Sequence, residues 1–73
     1  MELIVAAKTG HVVIRTARRP DCRWTSEFQV MPKHGAPLGW RSACASEGFV
    51  SEGMALSAAI LLGKQTAEEL AGA

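Results

Sequence analysis

Residues 23 to 30 alternate more strictly than any other part of the chain, with Trp24, Ser26, Phe28 and Val30 interleaved by Arg23, Thr25, Glu27 and Gln29. Successive side chains of a strand point to opposite faces, so this period predicts a strand with one dry and one wet face. Such a strand needs partners. Leu3 to Ala7 and His11 to Ala17 are β-branched-rich runs on either side of Lys8-Thr9-Gly10. A two-residue Thr9-Gly10 loop predicts a tight hairpin pairing Lys8 with His11, Val5 with Ile14 and Ile4 with Arg15. One face is then Leu3, Val5, Ala7, Val12, Ile14 and Thr16, without a charge, and faces the core. The other carries Glu2, Ile4, Ala6, Lys8, His11, Val13 and Arg15.

Arg18-Arg19-Pro20-Asp21 is turn chemistry, because Pro20 has no N–H to give a ladder. Pro32 to Gly39, with two prolines and two glycines, reads as a loop, and Trp40 to Ala45 as a shorter fourth strand. Ser51 is a good N-cap and Glu52 suits the positive end of a helix that follows. On a helical wheel Ala55, Leu56, Ala59, Ile60, Leu62, Gly63, Ala67 and Leu70 fall on one side. Gly63 either lets that helix approach the sheet closely or ends it, with Thr66-Ala67-Glu68-Glu69 starting a second short turn; one continuous helix is the favoured reading. The predicted fold is α+β: an antiparallel β-meander of three to four strands packed on one C-terminal helix. Trp24, Phe28, Val5, Ile14, Leu56, Ile60 and Leu62 are its expected core.

Seventy-three residues suffice for one domain, residues 1–73, with a small core. No signal-type or membrane-spanning run is recognisable, and Cys22 and Cys44 are too few for a disulfide framework. A cytoplasmic chain with reduced thiols is expected, an oxidised Cys22–Cys44 pair being the alternative if both lie on one sheet. Charge is uneven. Residues 1–45 hold seven Lys and Arg against three acidic residues, whereas residues 46–73 hold one against four. A basic sheet beside an acidic helix suits an anionic partner for the sheet.

Enzyme chemistry finds no foothold. His11, Cys22, His34 and Cys44 lack the close spacing that aims two ligands at one zinc, so no metal is expected. There is no nucleophile elbow, and Gly63-Lys64 has neither the preceding glycine nor the following Ser or Thr of a phosphate loop. No cofactor or small-molecule substrate is expected. Nucleic acid is the sharper expectation: an outward sheet face with Lys8, Arg15, Arg23 and Arg41, extended by Arg18 and Arg19 in the turn, has the chemistry to meet duplex DNA. Parity sends Trp24 and Phe28 inward, which leaves no outer aromatic platform for single strands.

Arg15-Thr16-Ala17-Arg18-Arg19-Pro20, Arg23-Trp24-Thr25-Ser26-Glu27-Phe28, Gly48-Phe49-Val50-Ser51, and Ala55, Ala58 and Ala59 together resemble the plant ethylene-response-factor DNA-binding domain. Phage integrase arm-binding domains share the three-strand-plus-helix layout, and a Phe-x-Ser lead into an Ala-rich helix also occurs in several small bacterial sheet-plus-helix domains of unknown role. The resemblance spans roughly residues 14–62 and implies DNA contacts from Arg15, Arg18, Arg23 and Trp24. Thr16 stands where the plant family has glycine, and the first strand here is additional.

A protein-interaction or homodimerisation module is the rival expectation. Met54, Ala58 and Leu61 share a stripe on the helix side away from the core, and Ile4, Val13 and Met31 lie on the outward sheet face. Small domains gain stability by self-association, which favours such a use of spare apolar surface.

Overall fold

The structure, a computed structural model, describes residues 2–8, 10–43 and 46–72, the last three as backbone alone. Four antiparallel strands, β1 (Glu2–Ala7), β2 (Gly10–Arg18), β3 (Trp24–Pro32) and β4 (Arg41–Ser42), form a sheet in sequence order. One helix, α1 (Glu52–Gly72), packs across β2 and β3 and barely reaches β1. It is the α+β meander that the alternation implies. Cys22 lies in the β2–β3 turn as an exposed free thiol, not on a strand, and Cys44 falls outside the described residues, so their pairing does too.

The first hairpin adopts a different register from the expected one. Val5 pairs with Val12 and Leu3 with Ile14, leaving Lys8 and Thr9 between the paired ends Ala7 and Gly10. Gly10 therefore belongs to β2 rather than to the loop. It also pairs with Pro32 of β3, and a Cβ on it would collide with the Met31 carbonyl. A shift of two residues preserves the side to which every residue points. Val12 and Ile14 are buried, and Val5, Ala7 and Thr16 half-buried. Leu3, expected inside, stays exposed because α1 lies over the neighbouring strands.

On β3 the alternation holds: Ser26, Phe28 and Val30 are buried and Trp24 is half-buried. The outer edge of this strand is covered piecemeal. Trp24 exchanges backbone hydrogen bonds with Phe49 at 2.7 and 2.8 Å, Ser26 accepts from Ala43, Phe28 pairs with Arg41, and Val30 accepts from Leu38. The fourth strand is thus Arg41–Ser42 where Trp40 to Ala45 was expected, Cys44 and Ala45 lying outside the described residues. Three separate segments, Leu38, Arg41 to Ala43 and Phe49, share the edge that one strand was expected to fill.

Ser51 caps α1: the Met54 N–H donates to Ser51 Oγ at 3.2 Å. Glu52 in the first turn accepts a 2.8 Å hydrogen bond from Thr16 Oγ1 and so ties the helix start to β2. The buried seam then climbs in steps of four through Ala55, Ala59, Gly63 and Ala67. At Gly63 the helix comes so close that a Cβ would stand 2.5 Å from Val12 Cγ1. Helix continuity through this glycine excludes the second short turn, and the Thr66 hydroxyl instead bonds back to the Leu62 carbonyl at 2.8 Å. Leu62, expected in the core, is exposed, because the buried arc is as narrow as its small residues and Leu62 stands on its flank.

Gly63→Val should cost about 2 kcal/mol or more by overpacking, whereas Gly53→Ala, whose new Cβ meets only Ser51 Oγ at 4.0 Å, should gain about 0.5–1 kcal/mol of helix propensity. Urea unfolding of the two variants checks both signs. The Ser26 hydroxyl is buried without a hydrogen-bond partner, so Ser26→Ala should leave stability unchanged or raise it by up to about 1 kcal/mol in the same assay.

Candidate interaction surfaces

The centre of the outward sheet face is set by Arg15. It faces Glu27 across the β2–β3 ladder, and its Nε donates to Glu27 Oε1 at 3.1 Å. On the same side, its guanidinium lies 4.0 Å from the centroid of the Trp40 ring. Trp40 is therefore an outward aromatic, contrary to the expectation that none would stand there. The residue precedes Arg41, which pairs with the inward Phe28, and one step along a strand reverses the face. Arg15 is held between a carboxylate and a π-face. Pairs this exposed contribute under about 1 kcal/mol, with a similar amount from the ring. The Glu27 contact uses Nε alone, and stacking on the ring engages the guanidinium's face and not its N–H donors.

The other candidate cations do not gather around it. Arg41 shares the side of Phe28, opposite to Arg15, and Arg18, paired with Trp24, has the inward parity as well. Arg19 is half-buried. Its guanidinium donates to the Ser46 carbonyl at 2.9 Å and meets Asp21 at 3.1 Å, so it braces the β2–β3 turn against the segment leading to α1. Arg23 is exposed beside that turn, where its N–H donates to Asp21 Oδ1. Lys8 lies at the opposite end of β2, bordering a hollow shared with Ala6, Ala7, Lys64 and Glu68. A nine-residue strand separates it from Arg18 and Arg23, about 30 Å of chain. The six cations thus occupy both ends and both faces of the sheet.

Apolar exposure is grouped more tightly. From Gly53 to Leu62 the helix carries no charged residue, and Ser57 is its one polar side chain. One side of this stretch packs on the sheet. The other leaves Met54 at 53% and Leu61 at 59% exposure, with Val50 and Leu62 alongside. A shallow, mainly apolar groove of about 580 Å³ opens there among Phe49, Ser51, Gly53, Met54 and Ser57. It contains no ionisable side chain to do chemistry. The second group lies on β1, where Leu3 and Ile4 are exposed, Ile4 at 65%. Ile4 points to the side of the sheet away from the helix stripe, and Leu3 to the other side, at the edge that α1 barely reaches. Val13 and Met31 are half-buried. Among the described residues no three His, Cys, Asp or Glu side chains come together in a metal-binding group, and no helix is long and apolar enough to cross a membrane.

Trp40→Leu is expected to destabilise the fold by about 1 kcal/mol through loss of the Arg15 stack, and Glu27→Gln by less than about half that, the latter effect fading with added salt. Thermal unfolding at two ionic strengths reads both. No family model, curated protein or solved structure matches this chain.

Proposed function

We propose that this chain is a protein-association module whose first partner is another copy of itself. The observation that carries the reading is the pair of exposed apolar regions, the stripe on the charge-free half of α1 and the uncovered β1 edge, where Leu3 and Ile4 are exposed on its two faces. Isolated exposed leucines are ordinary, but apolar residues grouped in this way favour contact with another protein. The buried core supports the reading from inside. Beyond Phe28 it is made of Val, Ile and Ala side chains, and so small a core gains from surface buried on association. Sedimentation equilibrium from micromolar to millimolar protein tests it. An average mass that climbs toward a dimer is expected, and a strict monomer throughout would refute it.

Duplex DNA is the second reading, and it draws on the Arg18 and Arg23 corner beside the β2–β3 turn. Its weakness is the scatter of the cations, which stand at both ends and on both faces of the sheet where a groove-reading surface needs them together. Titration of labelled protein with duplex DNA at low salt should therefore give only weak, salt-sensitive binding, about 10⁻⁴–10⁻⁶ M at physiological salt, with shifts at the Arg18 and Arg23 end. Saturable, sequence-selective binding centred on Arg15, Thr25 and Gln29 would favour DNA instead.

A further inference from the structure

Among the described residues no segment pairs with the outer edge of the first strand. Its six residues contain no proline, and Leu3 to Ala7 contain no charge, so the usual protections of an exposed edge are missing. On β3 the backbone groups of Trp24 and the carbonyls of Ser26 and Val30 turn away from β2, and the pairings Val30–Val12 and Val12–Val5 carry that alternation across to β1. Alternation along an antiparallel ladder then turns the N–H and C=O of every second residue, here Glu2, Ile4 and Ala6, away from β2. Those groups form a template for another strand.

We infer that β1 pairs antiparallel with β1 of a second copy about a two-fold axis at Val5, with Glu2 of each chain opposite Lys8 of the other. The inference rests on the association reading above and names its surface and register. Facing residues of an antiparallel pair point to the same side, so only registers that keep odd residues opposite odd ones preserve the inward face. Centring on Val5 also uses the whole stretch from Glu2 to Lys8, which extends three residues on either side of it. Leu3 then faces Ala7 of the second copy, Val5 faces Val5, and Ile4 faces Ala6, with large side chains set against small ones. The charges select the same alignment. Glu2 and Lys8 are both exposed, Glu2 on the outward side of β1 and Lys8 in the turn just after Ala7, and this register brings them together at both ends of one symmetric dimer. The hollow beside Lys8 holds Lys64 and Glu68, whose opposite charges leave it near neutrality.

Charge reversal at both ends gives a test specific to this register. Glu2→Lys and Lys8→Glu alone should each weaken dimerisation roughly tenfold, because each sets like charges opposite one another at two places. An equimolar mixture should recover wild-type strength as a heterodimer. There the introduced lysine of one variant meets the introduced glutamate of the other, and the native Lys8 of the first meets the native Glu2 of the second. Sedimentation equilibrium measures the strength, and native mass spectrometry of one isotope-labelled partner identifies the heterodimer. Ile4→Pro removes an outward N–H that the monomer does not use and should abolish pairing, with circular dichroism confirming that the fold persists. If wild-type chains associate but these variants behave like wild type while Leu61→Asp yields monomers, the strand pairing is wrong and association through the helix stands. If wild-type chains stay monomeric to millimolar concentration, both readings fall.

Discussion

The closeness of helix to sheet at Gly63 and Val12 governs the rest of this fold. A seam of alanine and glycine lets the two backbones approach until no extra methyl fits, so β2 and β3 are sealed by small residues packed tightly. The same geometry limits what the helix can bury. Its large side chains have no place in the seam: Leu56 and Ile60 lie half-buried beside it, while Leu61, Leu62 and Met54 remain in water. The exposed stripe on α1 and the thin core are therefore two results of one packing choice.

Much of this arrangement was legible in the residues. The two-fold period from Trp24 to Val30 announced a half-buried strand, and Ser51 with Glu52 marked where the helix begins. Parity in the hairpin also survived an error in its register, because the correction was an even number of residues. What could not be read locally depended on distant neighbours. Gly10 looks like a turn glycine until the Met31 carbonyl is placed against it. Leu62 satisfies any helical wheel, but the width of the buried arc is decided by how near the sheet comes. Trp40 turned outward because Arg41, and not its neighbour, was drawn opposite Phe28, a pairing fixed by loop closure more than by sequence pattern.

The candidate surface shows the same division. The cations and the apolar residues can be named from the sequence, yet charge alone could not say how they would be grouped. Register sent Arg41 to one side of the sheet and Arg15 to the other, and the Glu27 and Trp40 contacts turned the latter into a structural residue. Met54 and Leu61 did come out on a common exposed stripe, because a helix fixes spacing without outside help. Partners across strands need the register, and the register is a property of the whole sheet.

The two borders of the sheet have unequal capacities. Along β3, Leu38, Arg41, Ala43 and Phe49 occupy the outward backbone groups of every second residue, leaving no free run for another chain to join. Growth by strand addition can thus proceed from the β1 side alone. An assembly nucleated there ends once two copies have met, since each presents only its sealed border to the next arrival. The irregular stretch that stands in for a proper fourth strand acts as a terminator against fibre formation.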